Sequence, residues 1–180
     1  VEFFAEFTSE EGERVQVPGF YDGEGVYRLR FSPPSQGIWH YQTNSETSNL
    51  DGKSGSVRAT APTGENYGPL RIVNTFYLQY ADGTPYYGIG TTAYQWTSVK
   101  QSIQEKTLET LSDSPFNKIR MCVFPKHYQY GNESEPWAYP FHREGEANDF
   151  TQPNFAFFQN FDKRVRELMD RGIQADVILF

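Results

Sequence analysis

The sequence predicts a chain in two parts, in which a β-sandwich precedes a parallel α/β unit. Short strand-like segments, each bounded by turn residues, recur about every 8–12 residues up to residue 60, which is typical of a sandwich. From residue 85 the order becomes strand, helix, strand, helix, strand. Repeated β-α units of this kind indicate a parallel sheet with right-handed crossover connections.

The first part contains three segments with clear strand character. Val26–Phe31 alternates apolar and charged residues, and Ile38–Thr43 places Trp39 and Tyr41 on one face. Ser56–Ala61 follows a turn rich in glycine. About four or five strands are expected in all, which predicts a sandwich that is incomplete at its N-terminus.

A composition shift marks the boundary between the two parts. Ala61–Pro69 holds two prolines and two glycines in nine residues, as linkers often do. We therefore predict a sandwich domain over residues 1–62, a linker over 63–75 and an α/β domain over 76–180.

The second part is predicted to begin with a hairpin of Phe76–Tyr80 and Pro85–Gly90, whose second arm is buried. Hydrophobic periodicity then predicts two helices and two buried strands. In chain order these are the helix Ser102–Ser112, the strand Asn117–Phe124, the helix Asn154–Arg171 and the strand Gln174–Phe180. Gly172 is a natural helix C-cap. The intervening Pro125–Gln152 reads as a long, aromatic, irregular loop, and such loops are often functional.

Composition limits the classes of function. The 180 residues carry a net charge of −7 with no cluster of basic residues, which argues against a nucleic-acid partner. No apolar run approaches the roughly 18 residues of a membrane span, so no membrane partner is predicted. The single cysteine, Cys122, excludes a disulfide framework. It favours a cytoplasmic location, and secretion stays open because an upstream signal peptide would have been removed.

The candidate binding residues follow the strands, because ligands of α/β barrels and open α/β sheets bind at the C-terminal ends of the strands. Flat aromatic rings stack on sugars and bases, and a cation with an imidazole suits a ligand rich in hydroxyl groups. Each ring also has a plain alternative role in packing. The predicted substrate-binding residues are Tyr94, Trp96, Lys126, His127, Tyr128 and Tyr139.

Arg120 is the one charged residue in the apolar strand around Ile119–Phe124. A buried guanidinium needs a partner. Two roles stay open: a structural ion pair within the sheet, or an arginine that orients a catalytic carboxylate.

Other chemistries find no support in the sequence. The three histidines lack the spacing of a zinc site, and no phosphate-binding loop or dinucleotide fingerprint is present. Neither a metal nor a cofactor is predicted. No carboxylate is well placed at the C-terminal end of a strand, so we predict no catalytic acid or nucleophile within the chain. The acidic residues considered are Asp82, Asp113, Asp149 and Asp176, of which Asp176 lies at the N-terminal end of its strand.

Several motifs together resemble a bacterial family of glycoside hydrolases related to clan A. They are Gly37–Tyr41, Leu50–Gly55, Asp82–Pro85, Gly90–Trp96 and the long, specific Ser114–Tyr128. The resemblance implies a partial immunoglobulin-like β-sandwich followed by the first three β/α units of a TIM-type (β/α)8 barrel, truncated after the third strand. It also implies that Arg120 lies beneath the catalytic centre, and that the catalytic glutamates lie beyond residue 180.

The first functional hypothesis is therefore that this chain is the N-terminal part of a glycoside hydrolase. The parent would act on a poly- or oligosaccharide by a retaining, two-carboxylate mechanism, with the remainder of the barrel in the same parent chain. The 180 residues alone are expected to be inactive. Two alternatives stay open: a carbohydrate-binding module without catalysis, and a scaffold.

Overall fold

The computed structural model describes residues 1–63, 66–125 and 135–179. The chain divides into two compact units. The first comprises Val1–Arg71 with Gln79–Thr84, and the second comprises Ile72–Leu78 with Pro85–Phe180. The domain boundaries expected from the sequence stay predictions.

The first unit is built on an antiparallel sheet of four strands in the order β2-β1-β5-β6, beside a short β3-β4 pair. The strands are β1 (Phe3–Ser9), β2 (Arg14–Pro18), β3 (Phe20–Tyr21), β4 (Tyr27–Arg28), β5 (Gly37–Ser45) and β6 (Ser54–Ala59). An immunoglobulin-like arrangement of these strands stays a prediction.

Alternation along β1 and β5 creates the core of this unit. Ala5, Phe7 and Trp39 are buried, since successive side chains of a strand point to opposite faces. Leu29 and Phe31 pack against them. The strand predicted over Val26–Phe31 is largely absent, because only β4 pairs. The apolar residues of that segment cover the core from an irregular backbone.

The remaining elements of the chain include both strands and helices. They are β7 (Leu70–Val73), β8 (Tyr77–Tyr80), β9 (Gly90–Thr92), α1 (Gln101–Ser112), β10 (Lys118–Cys122), β11 (Phe141–Glu144), β12 (Ala147–Pro153), α2 (Phe155–Met169) and β13 (Gln174–Ile178). A 3-10 turn, Trp96–Ser98, joins β9 to α1. Neither helix is long and apolar enough to cross a membrane, within the residues described.

A three-stranded parallel sheet in the order β13-β10-β9 organises the second unit. Ile119 and Met121 of β10 are fully buried and belong to one core with Leu108 of α1 and Leu168 of α2. Gly172 ends α2 with a positive φ of 69°, as predicted for a C-cap. The next amide, that of Ile173, donates to the Leu168 carbonyl at 3.0 Å.

Three predicted segments differ from the structure. Pro85–Gly90 is only in part a buried hairpin arm: Tyr86 is buried and its amide donates to the Leu78 carbonyl at 3.0 Å, whereas Tyr87 is 78% exposed. Within the long irregular loop, β11 and β12 form a bulged antiparallel hairpin. The last strand, β13, is half-buried rather than buried.

Candidate functional site

The three parallel strands end at a common edge, called the carboxyl edge below. β9 ends at Thr92, β10 at Cys122 and β13 at Ile178. The Cys122 amide donates to the Tyr94 carbonyl at 2.9 Å, which places the segment after β9 directly beside the end of β10. Tyr94 is 40% exposed there, as a ligand-contacting ring requires.

A polar row crosses the sheet one layer below the carboxyl edge. Arg120 is in register with Thr92 of β9 on one side and with Asp176 of β13 on the other. Paired residues of a parallel sheet point to the same face, so all three side chains share a face. It is the face opposite Ile119 and Met121, which point into the helix-covered core.

An ion-pair cluster occupies this row. The Arg120 Nε lies 3.5 Å from the Asp176 Oδ2, and the Lys118 Nζ lies 3.4 Å from the same oxygen. The expectation that Arg120 is buried is wrong for this structure, since its side chain is 53% exposed. Its open position leaves the guanidinium accessible to a further group.

Trp96 occupies the core rather than the surface. It is 3% exposed, and its indole N–H donates to the Gln104 carbonyl at 3.0 Å. Neither face of the ring is open to a sugar. The surroundings of Trp96 fit the alternative role in packing, in which the side chain joins α1 to the sheet. It supports the segment that carries Tyr94.

Trp137 fastens the long loop to the same 3-10 turn. Its amide donates to the Ser98 carbonyl at 3.0 Å, and its indole N–H donates to the Thr97 carbonyl at 2.9 Å. Asn154, just before α2, donates from its side chain to the Tyr139 carbonyl at 2.9 Å. These bonds fix the backbone on both sides of Tyr139.

An aromatic cavity of about 300 Å³ lies beside the end of β10. Its walls come from the residues that follow β10 and from the β11-β12 hairpin with the segment before it. They are Phe124, Pro125, Tyr139, Pro140, Phe141, Arg143, Asn148 and Phe150. Apolar walls with a few polar groups are typical of small-molecule sites.

Tyr139 and Arg143 form the polar part of this cavity. The Arg143 guanidinium lies 4.0 Å from the centre of the Tyr139 ring, a cation–π contact. Its Nη2 donates to the Glu146 carbonyl at 2.9 Å, whereas its Nε is buried with no hydrogen-bond partner among the described residues. The Tyr139 hydroxyl donates to the Glu135 carboxylate.

The hydrogen bond to Glu135 raises the pKa of Tyr139 above its ordinary value, because it stabilises the protonated phenol. We expect Glu135→Gln to lower this pKa toward the ordinary value, since the charged acceptor is lost. Titration of tyrosine absorbance, with Tyr139→Phe to identify the signal, measures the change. An unchanged pKa would contradict the contact.

Part of the predicted site cannot be compared with the structure. Lys126, His127 and Tyr128 lie outside the described residues. Of the others, the structure places Tyr94 and Arg120 at the end of the parallel sheet, and Tyr139 in the cavity beside the end of β10.

The sequence reasoning missed two residues. Asp176 seemed too near the start of its strand, whereas pairing brings it level with Arg120. The available signal was a single acidic residue in a strand with no other charged residue. Arg143 was missed because it lies in a segment that was predicted to be an irregular loop. Phe141 and Arg143 alternate with exposed neighbours, as residues of a strand do.

Comparison with known proteins assigns the two parts of the chain. A family model described as an apiosidase-like catalytic domain matches residues 73–180. A domain of unknown function, DUF5060, matches residues 1–46. None of the curated proteins is similar enough to match.

Among solved structures, a provisionally assigned glycoside hydrolase from Bacteroides vulgatus ATCC 8482 is 40% identical to this chain, with a TM-score of 0.91. The alignment covers 99% of this chain and 37% of that one. A family 5 glycoside hydrolase from the same organism is 17% identical, with a TM-score of 0.44 over 62% of this chain and 24% of its own. That weak likeness carries no weight in the assignment. The catalytic-domain model matches more than half of the chain, and the relative that is 40% identical matches nearly all of it. The chain therefore belongs to the apiosidase-like family of glycoside hydrolases.

Proposed function

We propose that this chain forms the first part of a retaining glycoside hydrolase that acts on a poly- or oligosaccharide. The observation that carries the proposal is the match of residues 73–180 to an apiosidase-like catalytic domain. The charged row and the aromatic cavity near the carboxyl edge support it, since that edge is where α/β barrels bind substrate.

The reaction needs two carboxyl groups. In a retaining enzyme one protonates the leaving oxygen while the other attacks the anomeric carbon, and the two stand about 5–5.5 Å apart. We propose that both are glutamates supplied by the protein beyond residue 180, in a barrel whose first three strands are β9, β10 and β13. This chain would contribute the substrate-binding edge and Arg120.

Arg120 suits a supporting role beneath such a pair. A guanidinium is permanently charged, and it lowers the pKa of a neighbouring carboxyl group. A nucleophilic carboxylate must stay ionised while its partner stays protonated. Because Arg120 meets Asp176 through Nε, its two terminal amino groups stay available to a second carboxylate.

The sugar contacts are proposed for the aromatic residues of the carboxyl edge. Tyr94 follows β9 and lies beside the end of β10, and Tyr139 lines the cavity next to it. Lys126, His127 and Tyr128 stay predictions, expected at the same rim because they follow β10 in the sequence. Trp96 supports this edge from the core.

The test is hydrolysis by the full-length protein against a panel of glycosides and plant or bacterial glycans. We expect cleavage with the anomeric configuration retained in the first-formed product, which proton NMR reports directly. Inversion would overturn the mechanism. Binding on a glycan array without any hydrolysis would favour the binding-module alternative instead.

The cavity can be tested by comparing two tyrosines. We expect Tyr139→Ala to raise KM about tenfold, equivalent to about 1.4 kcal/mol of binding, through loss of the ring that lines the cavity. Tyr87→Ala is the matched control, because Tyr87 is 78% exposed and precedes β9 at the opposite edge of the sheet. Equal effects of the two substitutions would contradict a binding role for the cavity.

A further inference from the structure

The proposed two-carboxylate reaction assigns no role to Asp176. Its position in the second unit is nevertheless defined by strand pairing and by two ion pairs. It lies in the middle of β13, level with Arg120, on the face of the sheet opposite the helix-covered core. One oxygen, Oδ2, faces both Arg120 and Lys118, at 3.5 Å and 3.4 Å. Within the described residues, Asp176 is the only ion-pair partner of Arg120.

We propose that Asp176 is a positioning residue, which holds the Arg120 guanidinium in the orientation that the hydrolytic site requires. The inference rests on the proposed function and adds a residue to it. Asp176 itself would touch neither substrate nor the reacting atoms.

The atom through which the two residues meet supports this role. Arginine is long and flexible, and a side chain 53% exposed has many conformations available to it. The ion pair lies at Nε, so Asp176 restrains one side of the guanidinium at 3.5 Å. Nη1 and Nη2 then remain for a second group, and their fork matches the two oxygens of a carboxylate.

The surroundings of Asp176 explain how it stays in place. Its backbone is held in the parallel pairing of β10 and β13, which runs in register from Lys118–Gln174 to Cys122–Ile178. Lys118 lies two residues before Arg120 on the same face, one layer farther from the carboxyl edge. The Asp176 oxygen is therefore held by strand pairing and by a second cation.

The charge of the cluster also favours a further anion. Two cations face one carboxylate, so the row keeps one positive charge that Asp176 does not neutralise. A structural ion pair would be complete with equal charges. The excess charge, on an exposed face near the carboxyl edge, is suited to a catalytic carboxylate that approaches Arg120.

The first experiment is a double-mutant cycle in the full-length protein, assayed on the glycoside it cleaves best. We expect Asp176→Asn to lower kcat about tenfold and to change KM less than twofold. In the Arg120→Lys background, which has no fork to orient, Asp176→Asn should lower kcat less than twofold. Lys106→Met, which removes an exposed lysine of α1 far from this row, should leave kcat within twofold of wild type.

Two results would overturn the proposal: full activity of Asp176→Asn, or an equal tenfold loss in both backgrounds. A fall in thermal stability with kcat unchanged per folded molecule would assign Asp176 a structural role only. These outcomes differ from failure of the proposed function, in which the wild-type protein cleaves no glycoside.

A second measurement does not depend on activity. In ¹⁵N-labelled protein, the Arg120 Nε–H signal is identified by its loss in Arg120→Lys. We expect its exchange with water to be about tenfold faster in Asp176→Asn than in wild type and in Lys106→Met. Unchanged exchange would show that Asp176 does not hold Arg120, and would overturn the proposal even if no substrate is found.

Discussion

Gln104→Leu is expected to lower the free energy of unfolding of the second unit by about 3 kcal/mol or more. Each buried polar group left without a hydrogen-bond partner costs about 1–3 kcal/mol, and this substitution leaves several such groups without one. The residue is fully buried within α1, and leucine has nearly the same size without any polar atom. The loss would therefore come from hydrogen bonding rather than from an empty cavity.

The hydrogen bonds of Gln104 join three parts of the second unit. Its side-chain amide donates to the Thr97 carbonyl at 3.1 Å and to the Val99 carbonyl at 2.7 Å. Its side-chain oxygen accepts from the Arg164 Nε at 2.8 Å and from the Asn160 side chain at 3.2 Å. One glutamine thus connects the loop after β9, α1 and α2.

Arg164 makes the loss more severe. Its side chain is 1% exposed, and its Nη1 donates to Glu167 at 2.8 Å. Its Nη2 already has no hydrogen-bond partner within the described part of the chain. Without Gln104 the Nε would lose its partner as well, and a buried charge that is poorly satisfied is strongly destabilising.

Gln101→Leu is the matched control, since Gln101 is exposed on the same helix. A surface substitution of this kind usually changes stability by less than about 0.5 kcal/mol. Urea unfolding followed by near-ultraviolet circular dichroism measures both variants. Equal stabilities of the two would show that the buried network contributes little.

The local features of the second unit could be read from its sequence. The helical spacing of Phe157, Phe161, Val165 and Leu168 predicts α2, because one helix face must be apolar to cover a core. Gly172 predicts the end of that helix, because few other residues adopt a positive φ at low cost.

The polar contacts could not be predicted in the same way. Gln104 and Arg164 are 60 residues apart, and no local period connects them. Asp176 meets Arg120 only through the register of β13 on β10, which sequence spacing does not specify. The β11-β12 hairpin was missed because β11 has only four residues, and because Phe141 and Phe150 line a cavity rather than a core.

In the full-length protein, Arg120→Ala is expected to lower kcat about 10²–10³-fold while leaving the fold intact. Removing one preorganised hydrogen-bond donor from an oxyanion hole costs this much, and Arg120 is proposed to stabilise charge in a similar way. The proposed target is the catalytic carboxylate whose charge changes during the reaction. Initial rates at saturating substrate, together with the pH dependence of kcat, measure the effect.

We expect Arg120→Ala to lower kcat strongly but to lower stability only slightly. Within these 180 residues Arg120 is half exposed and its ion pair with Asp176 is 3.5 Å long, so the pair contributes at most about 1 kcal/mol to the folding of this chain. Arg166→Ala is the control, because Arg166 is exposed on α2. If Arg120→Ala lost stability but kept kcat, the charged row would be structural, and the carboxyl edge would lose its link to the chemistry.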